Sequence, residues 1–165
     1  MDIEIIRSKL EEALQENTYP GHPVVSVIET LGGSYVLGWN GPTLEGMDPM
    51  LLLGEYENKD DRPSSIHSEI RAICNAAKYG IPTEGGTIYM NEWFCCEPCA
   101  GAIVNAGIRR FVTPDEVYED KSRHILVPEL RDHPYIYNFK RAEQILREVA
   151  VEILIEPALR LAEKL

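Results

Sequence analysis

The chain has 165 residues, 44% of them hydrophobic, which is enough to bury the core of one domain and excludes wholesale disorder. With 16 Lys and Arg against 27 Asp and Glu, its formal net charge of −11 excludes a general grip on DNA or RNA, though not a small phosphorylated ligand that needs one or two local cations. No apolar run approaches the roughly 20 residues that span a bilayer, and the charged, amphipathic opening MDIEIIRSKLEEALQ lacks the apolar stretch of a secretory leader.

Ile3, Ile6, Leu10 and Ala13/Leu14 recur at helical spacing, so residues 3–16 are expected to form an amphipathic helix that Tyr19-Pro20-Gly21 ends. Val24, Val25, Val27 and Ile28 form a β-rich run, and Gly32-Gly33 turns it into Ser34-Tyr35-Val36-Leu37, a β-hairpin. From Asn40 to about Pro63 the chain is rich in Gly, Pro and Asp and reads as loop with room for one short helix. A helix follows from His67, with Ile66, Ile70, Ile73, Cys74 and Ala77 on its apolar face and Gly80 as its stop. Thr87–Met90 reads as a buried strand, Glu97–Ala106 as a helix of small residues closed by Gly107, and Arg109–Val112 as the next strand. Lys140–Val149 is a helix on Ala142, Ile145, Leu146 and Val149, Val151–Ile155 the last strand, and 157–164 a C-terminal helix.

A hairpin followed by alternating helices and strands predicts a single α/β domain over residues 1–165, a three-layer α/β/α arrangement with a mixed five-stranded sheet. The helix between the last two strands is a crossover, which makes those strands parallel. Residues 113–139 are too long for an ordinary connection and form a candidate substrate lid.

Four cysteines are too few for a disulfide scaffold, and three of them, Cys95, Cys96 and Cys99, crowd together as if around a metal or reactive site in a reducing compartment. Cys96-Glu97-Pro98-Cys99 places two thiolates at a helix start, where the helix dipole favours negative charge. His67 begins another helix. These three ligands suit zinc and leave its fourth position for water, and Glu69, two residues after His67, can reach such a water without binding the metal. One His, two Cys and a non-ligand Glu are the parts needed for metal-activated water attack with a proton shuttle. Cys74 reads as core.

The pattern H-x-E followed by C-x-x-C is the zinc deaminase signature. On VVSVI and GWNG (within 24–41), IHSEIRAI (66–73), EGGTIYM (84–90), CEPCAGAIVNAGIRRFV (96–112) and ILREVAVEILI (145–155), the chain resembles the cytidine/deoxycytidylate deaminase superfamily, most closely the deoxycytidylate (dCMP) deaminases. The resemblance covers roughly residues 20–156 and implies a cytidine-deaminase-like fold. It also implies a Zn2+ cofactor held by His67, Cys96 and Cys99, with water attacking C4 of a cytosine ring and Glu69 carrying the proton to N3 and then to departing ammonia. It places Asn40 near the substrate's sugar and Trp93 and Phe94 beside the base, where they could stack. The cations expected to meet a phosphate are Arg62, Arg71, Arg123 and Arg131.

The chain departs from the family pattern at four places. Ser68 replaces the usual Ala, Arg71 stands where dCMP deaminases commonly have Asn, and Cys95 replaces the Pro before the first cysteine. The approach Tyr89–Cys96 is one residue longer than usual, so Cys95 is an alternative first ligand, with Cys96 preferred for its C-x-x-C spacing. The expected reaction is hydrolytic deamination of a free pyrimidine nucleotide, dCMP to dUMP. The rivals are a nucleoside, a free base (cytosine or guanine) or a modified nucleotide. A non-catalytic domain with four protein ligands to a structural zinc is a further rival, which Glu69 argues against. The expected setting is cytoplasmic and homo-oligomeric, with a small-molecule nucleotide or nucleoside as partner and neither polynucleotide nor membrane.

Overall fold

A computed structural model of the chain describes residues 2–19, 22–43, 46, 48, 65–116 and 139–161. In chain order these form α1 (Ile3–Glu16), β1 (Val25–Glu29), β2 (Tyr35–Trp39), β3 (Gly41–Pro42), β4 (Ser65–Ile66), α2 (Ser68–Lys78), β5 (Thr87–Met90), α3 (Glu97–Asn105), β6 (Arg110–Thr113), α4 (Phe139–Glu148) and β7 (Glu152–Ile155). Five strands make one sheet in the order β2-β1-β5-β6-β7, while β3 and β4 pair as a separate two-stranded ribbon. β1 runs antiparallel to β2 and to β5; β5, β6 and β7 are mutually parallel. The hairpin, the mixed sheet and the parallel final pair agree with the reading of the sequence.

Period-two alternation splits the core into two layers. Val25, Val27, Tyr89 and Val112 face α1, whose Ile6, Leu10, Ala13 and Leu14 close that side together with Leu159 and Leu161. Ile28, Val36, Ile88, Met90 and Phe111 face the other way, against Ala72 and Ala76 of α2, Cys99, Ala100 and Ile103 of α3, and Ala142 and Leu146 of α4. Three layers result.

The helix after His67 forms, but its face is rotated from the expected one. Ser68, Glu69, Ala72 and Ala76 are buried, and Cys74 is exposed rather than core. Small residues win the sheet side because α2 presses onto Gly38: a Cβ there would fall on the Ser68 carbonyl oxygen and lie 2.6 Å from the Ala72 nitrogen. The larger Ile70 and Ile73 pack partly buried along the flank. At the C-terminus a single 3-10 turn, Pro157–Leu159, replaces the described part of the expected helix 157–164; its last residues, 162–165, lie outside the described residues. Most of the loop 40–63 and of the lid segment 113–139 also lies outside them, including Arg62, Arg123 and Arg131. Among the described residues no helix is long and apolar enough to cross a membrane.

Candidate functional site

Parallel β5 and β6 end at one edge of the sheet, and the connection from β5 to α3 starts there. Because β1 is antiparallel to β5, the same edge receives the start of β1 and the end of β2. Both α2 and α3 begin at this edge, and their N-caps are His67 and Cys96. Neither side chain makes a capping hydrogen bond. Both turn instead to a common point, where the positive ends of two helix dipoles favour thiolate charge.

His67 Nδ1 lies 3.4 Å from Cys96 Sγ and 3.4 Å from Cys99 Sγ. All three donor atoms fall within 4.8 Å of one another. Bond lengths of about 2.1 Å to nitrogen and 2.3 Å to sulfur give a tetrahedral N···S edge of about 3.6 Å, so the donors fit a single zinc ion. Two thiolates and one imidazole are also the donor chemistry that zinc prefers. His67, Cys96 and Cys99 are therefore positioned to bind the metal. Cys95 lies outside this group, fully buried in the core, and burial pushes its thiol up. The geometry selects Cys96 of the two adjacent cysteines.

Electrostatics around the cluster are strongly perturbed. Hydrogen bonding from Cys99 draws the Cys96 thiol down to about 5 against the effect of burial, and His67 adds to the shift. The bond to Cys96 raises His67 to about 9. A thiolate held against a cationic ring is a state that a divalent ion readily replaces, with release of protons. Glu69, in the first turn of α2, is 2% exposed, and burial raises its carboxyl above the ordinary range. Ser68 Oγ donates to Glu69 Oε2 at 3.0 Å. A buried, anchored carboxyl beside the cluster is placed to move protons in a water-poor site.

The remaining expected residues are placed as follows. Asn40 follows β2, and its side chain is spent on the polypeptide: Oδ1 accepts from Asn17 Nδ2 at 2.8 Å and from the Val24 amide at 2.9 Å, while Nδ2 donates to the His22 carbonyl at 2.9 Å. Arg71 is likewise engaged. Its Nε donates to the Trp39 carbonyl at 2.7 Å and its guanidinium to the Pro42 carbonyl at 2.6 Å, and it lies 5.3 Å from the centre of the Trp39 ring. Phe94 is 4% exposed, with its ring tilted on Phe111 at 4.9 Å, so packing occupies it. Trp93 is half-buried and differs from its neighbours. It holds φ at +57°, costly for a bulky residue, with its amide donating to Asp115 Oδ2 at 2.8 Å and its carbonyl accepting from Thr113 Oγ1. Arg160 in turn pairs with Asp115.

The ring of Trp93 stacks on His22 at 4.8 Å with 9° between planes, and His22 Nε2 meets the buried carboxylate of Glu92. Spacing gives His22 no metal role, and no motif singles out Glu92, Asp115 or Arg160. The available signal was an acidic residue, Glu92, two positions past a strand that reads as buried.

A family model of the cytidine and deoxycytidylate deaminase zinc-binding region matches residues 2–114. Among curated proteins, ComE operon protein 2 of Bacillus subtilis (strain 168) is 30% identical over 92 residues, which make up 55% of this chain and 41% of that protein. The match thus spans less than half the length of that relative. Among solved structures, the dCMP deaminase of cyanophage S-TIM5 in apo form aligns with a TM-score of 0.62 at 17% identity, over 93% of this chain and 96% of that one. The same enzyme in complex with dCMP and dUMP aligns with a TM-score of 0.60 at 18% identity, over 91% and 93%. At such identities the likeness is one of fold, and it agrees with the mixed five-stranded sheet.

Proposed function

The chain belongs to the cytidine and deoxycytidylate deaminase family, and from that premise we propose that it hydrolyses the exocyclic amine of a free pyrimidine nucleotide, converting dCMP and water to dUMP and ammonia. The observation that supports this most is the buried Glu69 beside a three-donor cluster of His67, Cys96 and Cys99. Three protein donors leave a position for water, whereas a structural zinc site uses four. Zinc held there supplies Lewis-acid activation of water for attack at C4 of the base.

In this reading Glu69 takes one proton of the attacking water and delivers it to N3 of the ring, then takes the remaining hydroxyl proton of the C4 adduct and passes it to the amine, which leaves as ammonia while C4 becomes a carbonyl. Its burial keeps bulk water from competing for that proton, and the bond from Ser68 fixes one oxygen. The half-buried Trp93 borders the base, while Phe94 supports it from the core through Phe111. Asn40 shapes the sugar side of the site by holding Val24 and His22. A phosphate contact falls to Arg123, Arg62 or Arg131, since Arg71 is committed to two carbonyls. That commitment favours one second reading, an unphosphorylated nucleoside such as deoxycytidine. Cytoplasmic location, homo-oligomeric assembly and a substrate lid over 113–139 belong to the same proposal; the assembly rests on the family resemblance, the location on the cysteine pattern and the lid on the length of that connection.

The test is ammonia release by the zinc-loaded protein on dCMP, CMP, deoxycytidine, cytidine, cytosine and guanine in parallel. Turnover of dCMP well above deoxycytidine supports the nucleotide reading, and the reverse order supports the nucleoside. No turnover on any of the six with zinc bound overturns both.

A further inference from the structure

The Oγ of Ser26 is the one fully buried side-chain oxygen or nitrogen among the described residues that has no hydrogen-bond partner. Ser26 is 0% exposed and lies in the opening turn of β1, on the edge of the sheet that carries the metal-type cluster. Alternation fixes its direction. Val25 and Val27 face α1, so Ser26 shares with Ile28 the opposite face, toward α2 and α3. Its cross-strand neighbours are Gly38 on β2 and Met90 on β5. Gly38 is in contact with Ser68 and Ala72 of α2, and Met90 packs in the cluster of Cys96 and Cys99. Ser26 therefore lies on the sheet face that α2 and α3 cover, one strand from Gly38, on which the first turn of α2 with Ser68 rests.

Leaving a buried hydroxyl unbonded costs roughly 1–3 kcal/mol, and alanine at the same place would carry no such cost. A polar group kept at that expense beneath the helix whose first turn carries Glu69 calls for a partner acquired during the reaction. Glu69 has one oxygen anchored by Ser68, and in the proposed chemistry it alternates between carboxylate and acid. A hydroxyl can donate to the first and accept from the second, which no apolar residue can do.

We infer that Ser26 is a positioning residue for Glu69, its hydroxyl bonding the carboxyl in the course of the reaction. This rests on the deaminase reading above. Ser26→Ala and the pair Ser26→Thr and Ser26→Val, which differ only in hydroxyl against methyl at nearly equal volume, separate chemistry from packing. With the substrate that the panel identifies, kcat falls about 10-fold in the Ala and Val variants, the scale typical of outer-shell partners. KM stays within about 2-fold, and Thr recovers most of the rate. In a Glu69→Gln background Ser26→Ala brings no further loss, because the two act as one unit. Thermal unfolding of the Ala variant occurs no lower than in the parent.

Equal kcat in Ser, Ala and Thr proteins overturns the inference. So does a raised KM with unchanged kcat, which would make Ser26 a substrate contact, and so does an Ala variant that unfolds several degrees lower, which would mean that the hydroxyl is already bonded in the resting protein. Should the parent turn over nothing, the deaminase reading fails on its own, and the unfolding comparison still judges whether the hydroxyl is unpartnered.

Discussion

His67 Nδ1 and Cys99 Sγ lie 3.4 Å apart across 32 residues of sequence, because the two helices that carry them start from the same sheet edge. Neighbouring strands with opposite or parallel sense decide which helix ends share an edge. The donor cluster is thus a product of topology, and β1, β5 and β6 hold it together.

Removing one donor should cost both metal and stability. Cys99→Ser is expected to lose stoichiometric zinc and to unfold at a lower temperature than the zinc-loaded parent, since metal binding is folding free energy. Cys95→Ser, whose side chain lies outside the cluster, keeps its zinc. Elemental analysis and calorimetry on the two variants check this, and zinc retained in the Cys99 variant would refute the ligand assignment.

Glu69→Gln is nearly isosteric and leaves the donors untouched. Zinc content and far-UV spectrum should stay as in the parent while turnover drops by at least ~10²-fold, the scale of general acid–base groups. Steady-state kinetics with the best substrate of the panel decide it, and undiminished turnover removes Glu69 from proton transfer.

Gly38 has no room for a Cβ beneath Ser68 and Ala72. Gly38→Ala must lift the first turn of α2, so a loss of about 1–3 kcal/mol is expected from overpacking. The same movement displaces His67 and weakens zinc affinity. Denaturant unfolding and competition with a chelator measure the two effects, and an Ala variant as stable and as tight as the parent contradicts the close packing.

Arg71 bonds two carbonyls, Trp39 and Pro42, through a fork that lysine cannot reproduce. Arg71→Lys should destabilise the protein by about 1–2 kcal/mol without altering the ratio of dCMP to deoxycytidine turnover. A selective loss of dCMP activity would instead place the guanidinium on the phosphate.

The residues of the candidate site were legible because their signals are local. His67 and Glu69 lie two apart at a helix start, and Cys96 and Cys99 lie one helical turn apart at another. The alternating strands and the β1–β2 turn were legible for the same reason. Short-range spacing preferred Cys96 to Cys95, although either fits a plausible register. The approach of Cys96 to His67 agrees with that preference, and Cys95 lies outside the cluster.

The tertiary structure also decided what the polar residues around the site are occupied with. Arg71 reads in sequence as an available cation and Asn40 as a sugar contact, yet each spends its hydrogen bonds on neighbouring chain. Cys74 lies on an apolar-looking helical face, but Gly38 admits only small residues, so α2 turns Ala72 and Ala76 inward and Cys74 outward. Ser26 is an ordinary strand residue until the sheet buries its hydroxyl with no partner among the described residues. By itself the sequence determined the alternation of helices and strands and the donor set, since both depend on residues a few positions apart. The partners of each side chain depend on contacts between distant segments, and folding alone brings those together.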